Sequence, residues 1–262
     1  MVEPRLISID APTDAPDPAA ELAAGLCEQP ARVSPKFFYD ALGSRLFEAI
    51  TELPEYYPTR IEREIFDAQA PAMAAAIGPV HTLVDLGAGS CRKAARLFPV
   101  LRPSRYVAVD ISVDYLRDVL ADLQREFPAI RMLGVGLDFS RHLSLPDALG
   151  DGPKLLFYPG SSIGNFTPDE ALVFLRQCRT AAAGGSLLIG VDLVKPKPVL
   201  ELAYDDPLGV TAAFNLNLLR RLNGLLGCDA RLEDFDHVAL FDERESRIEM
   251  HLQARRELVL RW

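Results

Sequence analysis

The run HTLVDLG (His81–Gly87) breaks into the small residues of AGS, and the following run RYVAVD (Arg105–Asp110) ends on a carboxylate. Where a strand opens into a helix, residues with little side chain let a nucleotide-like ligand approach the backbone N–H groups of the helix N-terminus. Asp110 lies twenty-three residues beyond Gly87, a spacing that suits a carboxylate accepting hydrogen bonds from a ribose diol. A nicotinamide cofactor would favour G-x-G-x-x-G, but Gly87 and Gly89 are followed by Arg92 where the third glycine belongs. The pattern therefore points to a nucleoside such as S-adenosylmethionine rather than to a pyrophosphate. Glycines at strand ends also serve plain turns, and a G-x-G by itself is a weak signal.

Three more segments carry groups able to do chemistry. In LDFS (Leu137–Ser140), Asp138 can accept from an exocyclic amine while Phe139 covers a ring; a cap beside a core aromatic uses the same residues. In PGSSIGNF (Pro159–Phe166), Gly160 and Gly164 relax the backbone, and Asn165 offers an amide donor and a carbonyl acceptor. The alternative is an Asx turn that starts a helix. In YDDPLGVTAAFNLN (Tyr204–Asn217), Asp205 and Asp206 suit general bases, metal ligands or, most simply, caps of a helix starting near Pro207. Finally, LPEYYPTRIE (Leu53–Glu62) sets two adjacent phenols between prolines. Prolines disfavour helix at the residue before them, so Leu53 and Tyr57 are expected to be extended. A stiff loop with amphipathic rings fits either a binding surface or an apolar plug.

Composition limits the alternatives. The 262 residues are 49% hydrophobic and 25% charged with a net charge of −9, ordinary for a globular chain with a sizeable core. An acidic balance disfavours a nucleic-acid surface built on phosphate contacts. Cys27, Cys91, Cys178 and Cys228 form no C-x-x-C pair, and His81, His142, His237 and His251 are equally dispersed. Free thiols in a reducing compartment follow, with no metal site expected. No secretory signal, membrane-length apolar run or repeat is visible, so the expectation is a cytoplasmic protein without membrane partners.

The elements must hold these segments at one sheet edge. The first eighteen residues, rich in Pro, Asp and Ala, are expected to wrap the surface or stay loose. Helices are expected over Pro18–Cys27 and Thr59–Ala76, over residues 91–101, and over Ser112–Phe127 with Ser112 as cap. Another is expected over Pro168–Ala183, capped by Thr167. Strands are expected at residues 81–87, 105–110, 130–136, 154–160 and 186–192. Most lack in–out alternation, which implies a parallel sheet covered on both faces, and right-handed crossovers make it doubly wound. After Lys195-Pro196-Lys197-Pro198 a helix-rich stretch over Val199–Leu226 precedes two strand-like runs, His237–Asp242 and Arg247–Gln253. These close either the main sheet or a separate lobe.

Taken together, YDALGSRLFEAITELPEYYPTRIE (Tyr39–Glu62), VDLGAGSCRK (Val84–Lys93), VDIS (Val109–Ser112), PGSSIGNF, YDDPLGVTAAFNLN and RIEMHLQ (Arg247–Gln253) resemble, in order, the S-adenosylmethionine-dependent L-histidine Nα-methyltransferases of ergothioneine biosynthesis. The resemblance covers about Pro35 to the C-terminus. It implies a doubly wound, Rossmann-like class I methyltransferase sheet with an inserted α+β substrate-binding lobe. The implied organisation is an N-terminal segment over 1–34, a core over 35–195 that includes a tyrosine-bearing lid at 39–62, and a lobe over 196–262. It also implies that the tyrosine segment closes over the amino-acid substrate. By the same resemblance Tyr39 and Tyr56 are substrate-pocket phenols, Gly160 and Asn165 grip the α-amino end, Tyr204 contacts the carboxylate, and Met250 packs beside the imidazole. Gly87, Lys93, Asp110, Asp138 and Phe139 form the cofactor site. Family members continue beyond Trp262 with a G-E-x-I-x-x-E-x-S-like stretch, whose Glu and Ser recognise the substrate, then a helix and two strands. The sheet expected here thus has five strands in order 3-2-1-4-5 with the fifth at an open edge.

The implied activity is threefold methylation of the α-amine of L-histidine to hercynine by a monomer, with Tyr56 and Asn165 as the catalytic pair. Methylation of another small amino acid or amine, or a catalytically silent S-adenosylmethionine-binding protein, are the alternatives.

Overall fold

A computed structural model describes residues 4–9 and 17–262. Residues 1–3 and 10–16, part of the segment expected to be loose, lie outside the described residues. The chain divides into two compact units, one of Met1–Thr13 with Ile61–Asp192, the other of Asp14–Arg60 with Leu193–Trp262.

The first unit is built on strands β1 (Arg5–Ser8), β2 (Thr82–Leu86), β3 (Arg105–Asp110), β4 (Arg131–Gly136), β5 (Lys154–Tyr158) and β6 (Ser186–Ile189). They form one sheet in the order β1-β4-β3-β2-β5-β6, every pair parallel. The five expected strands keep their expected order, and β6 is one end of the sheet. Every residue of β2 and β5 is buried, which explains why neither strand alternates apolar with polar residues, although Thr82, Asp85 and Lys154 interrupt the apolar runs. Alternate residues serve opposite faces. Leu83, Tyr106 and Ala108 join a cluster with Leu116, Leu120 and Phe98, whereas Val84, Leu86, Val107 and Val109 join Phe174, Cys178 and Ala182. The covering helices are α4 (Arg92–Ala95), α5 (Phe98–Leu101), α6 (Val113–Glu126) and α7 (Pro168–Ala182), with most of α3 (Tyr57–Ile77). Thr167 and Glu170 cap α7 reciprocally.

Three local expectations are corrected. Residues 4–9 are not all loose: β1 pairs with β4, and Leu6 takes the space that a side chain at Gly134 would fill, 2.4 Å from its Cδ2. The helix expected over 91–101 is two short ones, because Pro99 opens α5 and has no N–H to continue α4. Tyr57 is not extended but begins α3, with its N–H donating to the Glu55 carbonyl at 2.9 Å.

The second unit holds α1 (Pro18–Leu26), α2 (Ala41–Thr51), α8 (Lys197–Tyr204), α9 (Val210–Leu226) and a hairpin of β7 (Phe235–Asp242) and β8 (Arg247–Ala254). The hairpin is antiparallel and forms a sheet of its own, so the tail is a separate lobe. Residues 17–60 fall with that lobe rather than in an N-terminal segment and core, because Leu22, Phe37, Phe38, Ile50 and Tyr56 bury against Phe214, Leu218 and Leu222 of α9. Asp40 caps α2 through Gly43 N–H at 2.7 Å and accepts from the buried Asn217 Nδ2 at 3.0 Å. No helix among the described residues is long and apolar enough to cross a membrane.

Asp206 settles the acidic opening of α9. Its two oxygens accept from Val210 N–H at 3.1 Å and Thr211 N–H at 2.7 Å. Burial alone would raise its pKa, but these backbone donors outweigh it and hold the carboxyl below its usual range. Asp206→Ala is expected to cost about 1–2 kcal/mol of stability. The folded pKa is depressed, so this contribution is present above the unfolded value and lost as pH falls through the folded one. Denaturant titrations at neutral and acidic pH check both; an equal loss at both pH values would refute the cap's charge.

Candidate active site

The first unit gathers the expected nucleoside residues at the carboxyl ends of β2, β3, β4 and β5. Gly87 follows β2 with φ +72°, a left-handed conformation that most side chains resist. Its N–H donates to the Val109 carbonyl at 2.9 Å, tying the turn to the end of β3. Asp110 ends β3, and its two oxygens accept from Gly89 N–H and Ser112 N–H, each at 3.0 Å. Both carboxylate oxygens keep further lone pairs for a ligand. Phe139, after β4, is half-buried, with its ring 3.6 Å from where a Cβ of Gly87 would stand. It meets Tyr158 edge-on at 5.9 Å and is anchored in the core beside Phe174 at 6.0 Å. The neighbouring Asp138 accepts from Ser140 N–H at 3.2 Å, so its Oδ1 already closes a local turn.

Lys93, on α4, pairs with Glu62 of α3 at 2.6 Å. Glu62 also accepts the N–H of Gly160, which follows β5 with φ +76°, at 2.6 Å. Asn165 ends a short 3-10 turn over Ser162–Asn165 and is exposed. Ser161 Oγ accepts from Asp192 N–H at 2.9 Å, joining the loop after β5 to the segment beyond β6.

Beneath the glycine turn sits a polar group that sequence reading passed over. Asp85 of β2 is fully buried and accepts from Tyr106 Oη at 2.7 Å. Burial pushes its pKa up to about 7 despite the Tyr106 hydrogen bond and the nearby Lys93 charge. Burial, then the Asp85 charge, raises the Tyr106 hydroxyl and the Cys91 thiol as well, so Tyr106 keeps the proton it donates. The available signal was a carboxylate inside an otherwise apolar strand.

The second unit gathers the expected substrate phenols. Tyr56 is 7% exposed, its ring edge-on to Phe47 at 6.1 Å and to Tyr204 at 5.8 Å. Tyr39 meets Phe47 at 5.6 Å and Phe214 at 5.8 Å. Met250, on β8 opposite Ala239, packs against the same core. The paired tyrosines divide their work: Tyr56 faces this aromatic cluster, while Tyr57 stacks under Lys195 Nζ, 4.6 Å from its ring centre. Tyr204 ends α8, and its carbonyl accepts from His237 Nε2 at 2.8 Å. The sequence signals no role for Phe47 or Phe214: no helix is expected around Phe47, and Phe214 falls only within the helix-rich stretch over Val199–Leu226.

Residues 18–262 match a family model described as histidine-specific methyltransferase, SAM-dependent. Histidine N-alpha-methyltransferase of Mycolicibacterium smegmatis is 43% identical over 252 residues, covering 92% of this chain and 77% of that protein. The protein of the same name from Mycobacterium tuberculosis is 42% identical over 243 residues, covering 89% and 74%. Ergothioneine biosynthesis protein 1 of Neurospora crassa is 32% identical over 211 residues, covering 78% of this chain and 24% of its own length.

Proposed function

As the chain belongs to the family of histidine-specific, S-adenosylmethionine-dependent methyltransferases, we propose that it methylates the α-amino nitrogen of L-histidine three times, giving hercynine for ergothioneine biosynthesis. The observation that carries this reading is the family match over residues 18–262, joined by 43% identity to a histidine N-alpha-methyltransferase. The reading also makes the enzyme a cytoplasmic monomer acting on the free amino acid.

The donor set of the first unit fits the cofactor. Asp110 offers carboxylate lone pairs suited to a ribose diol, Phe139 a flat apolar face, Asp138 an acceptor for an exocyclic amine, and Lys93 an ammonium for a carboxylate. S-adenosylmethionine, when bound, supplies a methyl group on a sulfonium whose departure leaves a neutral thioether. The protein's work is then to bind, orient and desolvate. In this reading Gly160 and Asn165 grip the α-amino end, and Tyr204 contacts the carboxylate. The Tyr56 hydroxyl and the Asn165 amide oxygen accept from the amine N–H groups and so aim its lone pair at the sulfonium methyl, the amine having given its proton to solvent water before each round. With each round the nitrogen loses an N–H donor and finally becomes a permanent cation. Aromatic faces such as those of Tyr39, Phe47 and Tyr56 hold that product without a carboxylate.

Incubating the protein with S-adenosylmethionine and L-histidine, and resolving mono-, di- and trimethylated products by mass spectrometry, tests the reading. Trimethylhistidine is expected. Methylation of a different amino acid with histidine untouched, or cofactor binding without transfer, would replace it with one of the other readings. Tyr56→Phe removes one hydroxyl from a packed ring, and Asn165→Ala one exposed amide; each is expected to lower kcat roughly 10²-fold through lost orientation. Affinity for S-adenosylhomocysteine should stay nearly constant in both. Unchanged turnover in both variants would reject their assignment.

A further inference from the structure

Glu62 joins segments that lie far apart in the sequence. It lies on α3, and its two oxygens take two different partners at 2.6 Å: Oε1 the N–H of Gly160 and Oε2 the ammonium of Lys93. These partners follow β5 and β2 respectively, and the Gly160 contact spans 98 positions of sequence. The carboxylate side chain is only 13% exposed. The chain also leaves room for it: a Cβ at Gly190 would stand 2.4 Å from Oε1, and one at Gly160 would stand 3.0 Å from Lys93 Nζ. An exposed ion pair of this kind would count for little. Here the carboxylate is the sheltered partner and the Lys93 side chain is 39% exposed; the Gly160 contact is a charge-assisted hydrogen bond, the stronger class, and the Lys93 contact a close ion pair.

We infer that Glu62 is a positioning residue for methyl transfer, one carboxylate aiming Lys93 on the cofactor side and fixing the Gly160 peptide on the amine side. The inference rests on the proposed function, which makes Lys93 a cofactor residue and Gly160 a substrate residue. An ammonium has three donors, so Lys93 can meet a ligand while it stays ion-paired with Glu62. Both carboxylate oxygens are engaged, which suits a clamp better than a base that must pick up the amine proton.

The variants separate the two arms. Glu62→Gln retains a carbonyl oxygen for Gly160 N–H but loses the charge that holds Lys93. Glu62→Ala loses both. Calorimetry with S-adenosylhomocysteine should show Kd raised about 10-fold in both variants. KM for histidine should stay within about 2-fold of wild type in Glu62→Gln and rise about 10-fold in Glu62→Ala. Adding Glu62→Gln to Lys93→Met should weaken binding no further than Lys93→Met alone, because both changes remove the same contact. A purely structural role would instead lower the melting temperature and shift both constants together. Wild-type affinity in Glu62→Gln, or multiplied effects in the double variant, overturns the clamp alone. Wild-type protein that binds no S-adenosylhomocysteine overturns the cofactor reading and the clamp together.

Discussion

Asp110→Ala is expected to weaken S-adenosylhomocysteine binding by about 10³-fold, with catalysis falling in step at subsaturating cofactor. The carboxylate has two tasks. It fixes the glycine turn through Gly89 N–H and the start of α6 through Ser112 N–H, each at 3.0 Å. In the proposed function it also accepts from a ribose diol. Hydrogen bonds to a charged acceptor contribute roughly 1.5–3 kcal/mol each, so two lost hydroxyl contacts correspond to about 10²–10⁴ in affinity. Asp110→Asn should do little better, because its amide NH₂ would face one of two backbone N–H donors. Calorimetry measures the loss, and circular dichroism confirms that the sheet is intact. A folded alanine variant that binds within about 3-fold of wild type would remove Asp110 from the site.

The second large effect concerns stability. Asp85 is buried with a pKa of about 7 against an ordinary 3.8, burial being the main cause. Because the folded value lies above the unfolded one, the stabilising contribution is complete below the unfolded pKa. It is lost as pH rises through the folded value. The native protein should therefore lose stability from this group between about pH 4 and 7, by roughly 4 kcal/mol at most. Asp85→Asn mimics the protonated form, and its carbonyl can still accept from Tyr106. The variant should match wild type below about pH 4 and exceed it at pH 8, with a flatter stability profile between. Urea titrations across that range decide; parallel wild-type and variant curves would show that Asp85 does not titrate as described. Lys93 lowers this pKa and Glu62 raises it, so the Glu62 and Lys93 variants should shift the same profile in opposite directions.

Much of the fold was legible in the sequence, and the reasons are local. Arg105–Asp110 was delimited by its apolar run, and α7 by Thr167 and Pro168 at its start. The doubly wound sheet followed from crossover handedness, and the order of its five main strands from the family resemblance. Errors arose where one residue argued against its surroundings. Tyr57 stands before a proline yet begins a 21-residue helix, whose tertiary packing overrides the local preference. β1 has only four residues and no pattern of its own; it exists because Gly134 admits Leu6.

The amino-acid sequence by itself determined the α/β architecture, the glycine turn with its acidic strand end, and the motifs that mark the family. These depend on periodicity and turn chemistry within one or two elements, where chain connectivity already sets the neighbours. Tertiary structure alone decided that residues 17–60 share a core with α9, that Asp85 is sealed away from water, and that Glu62 reaches both Lys93 and Gly160. Burial and long-range pairing arise only when distant segments close on one another, so a carboxylate's partners, and with them its charge and its role, are properties of the packed chain.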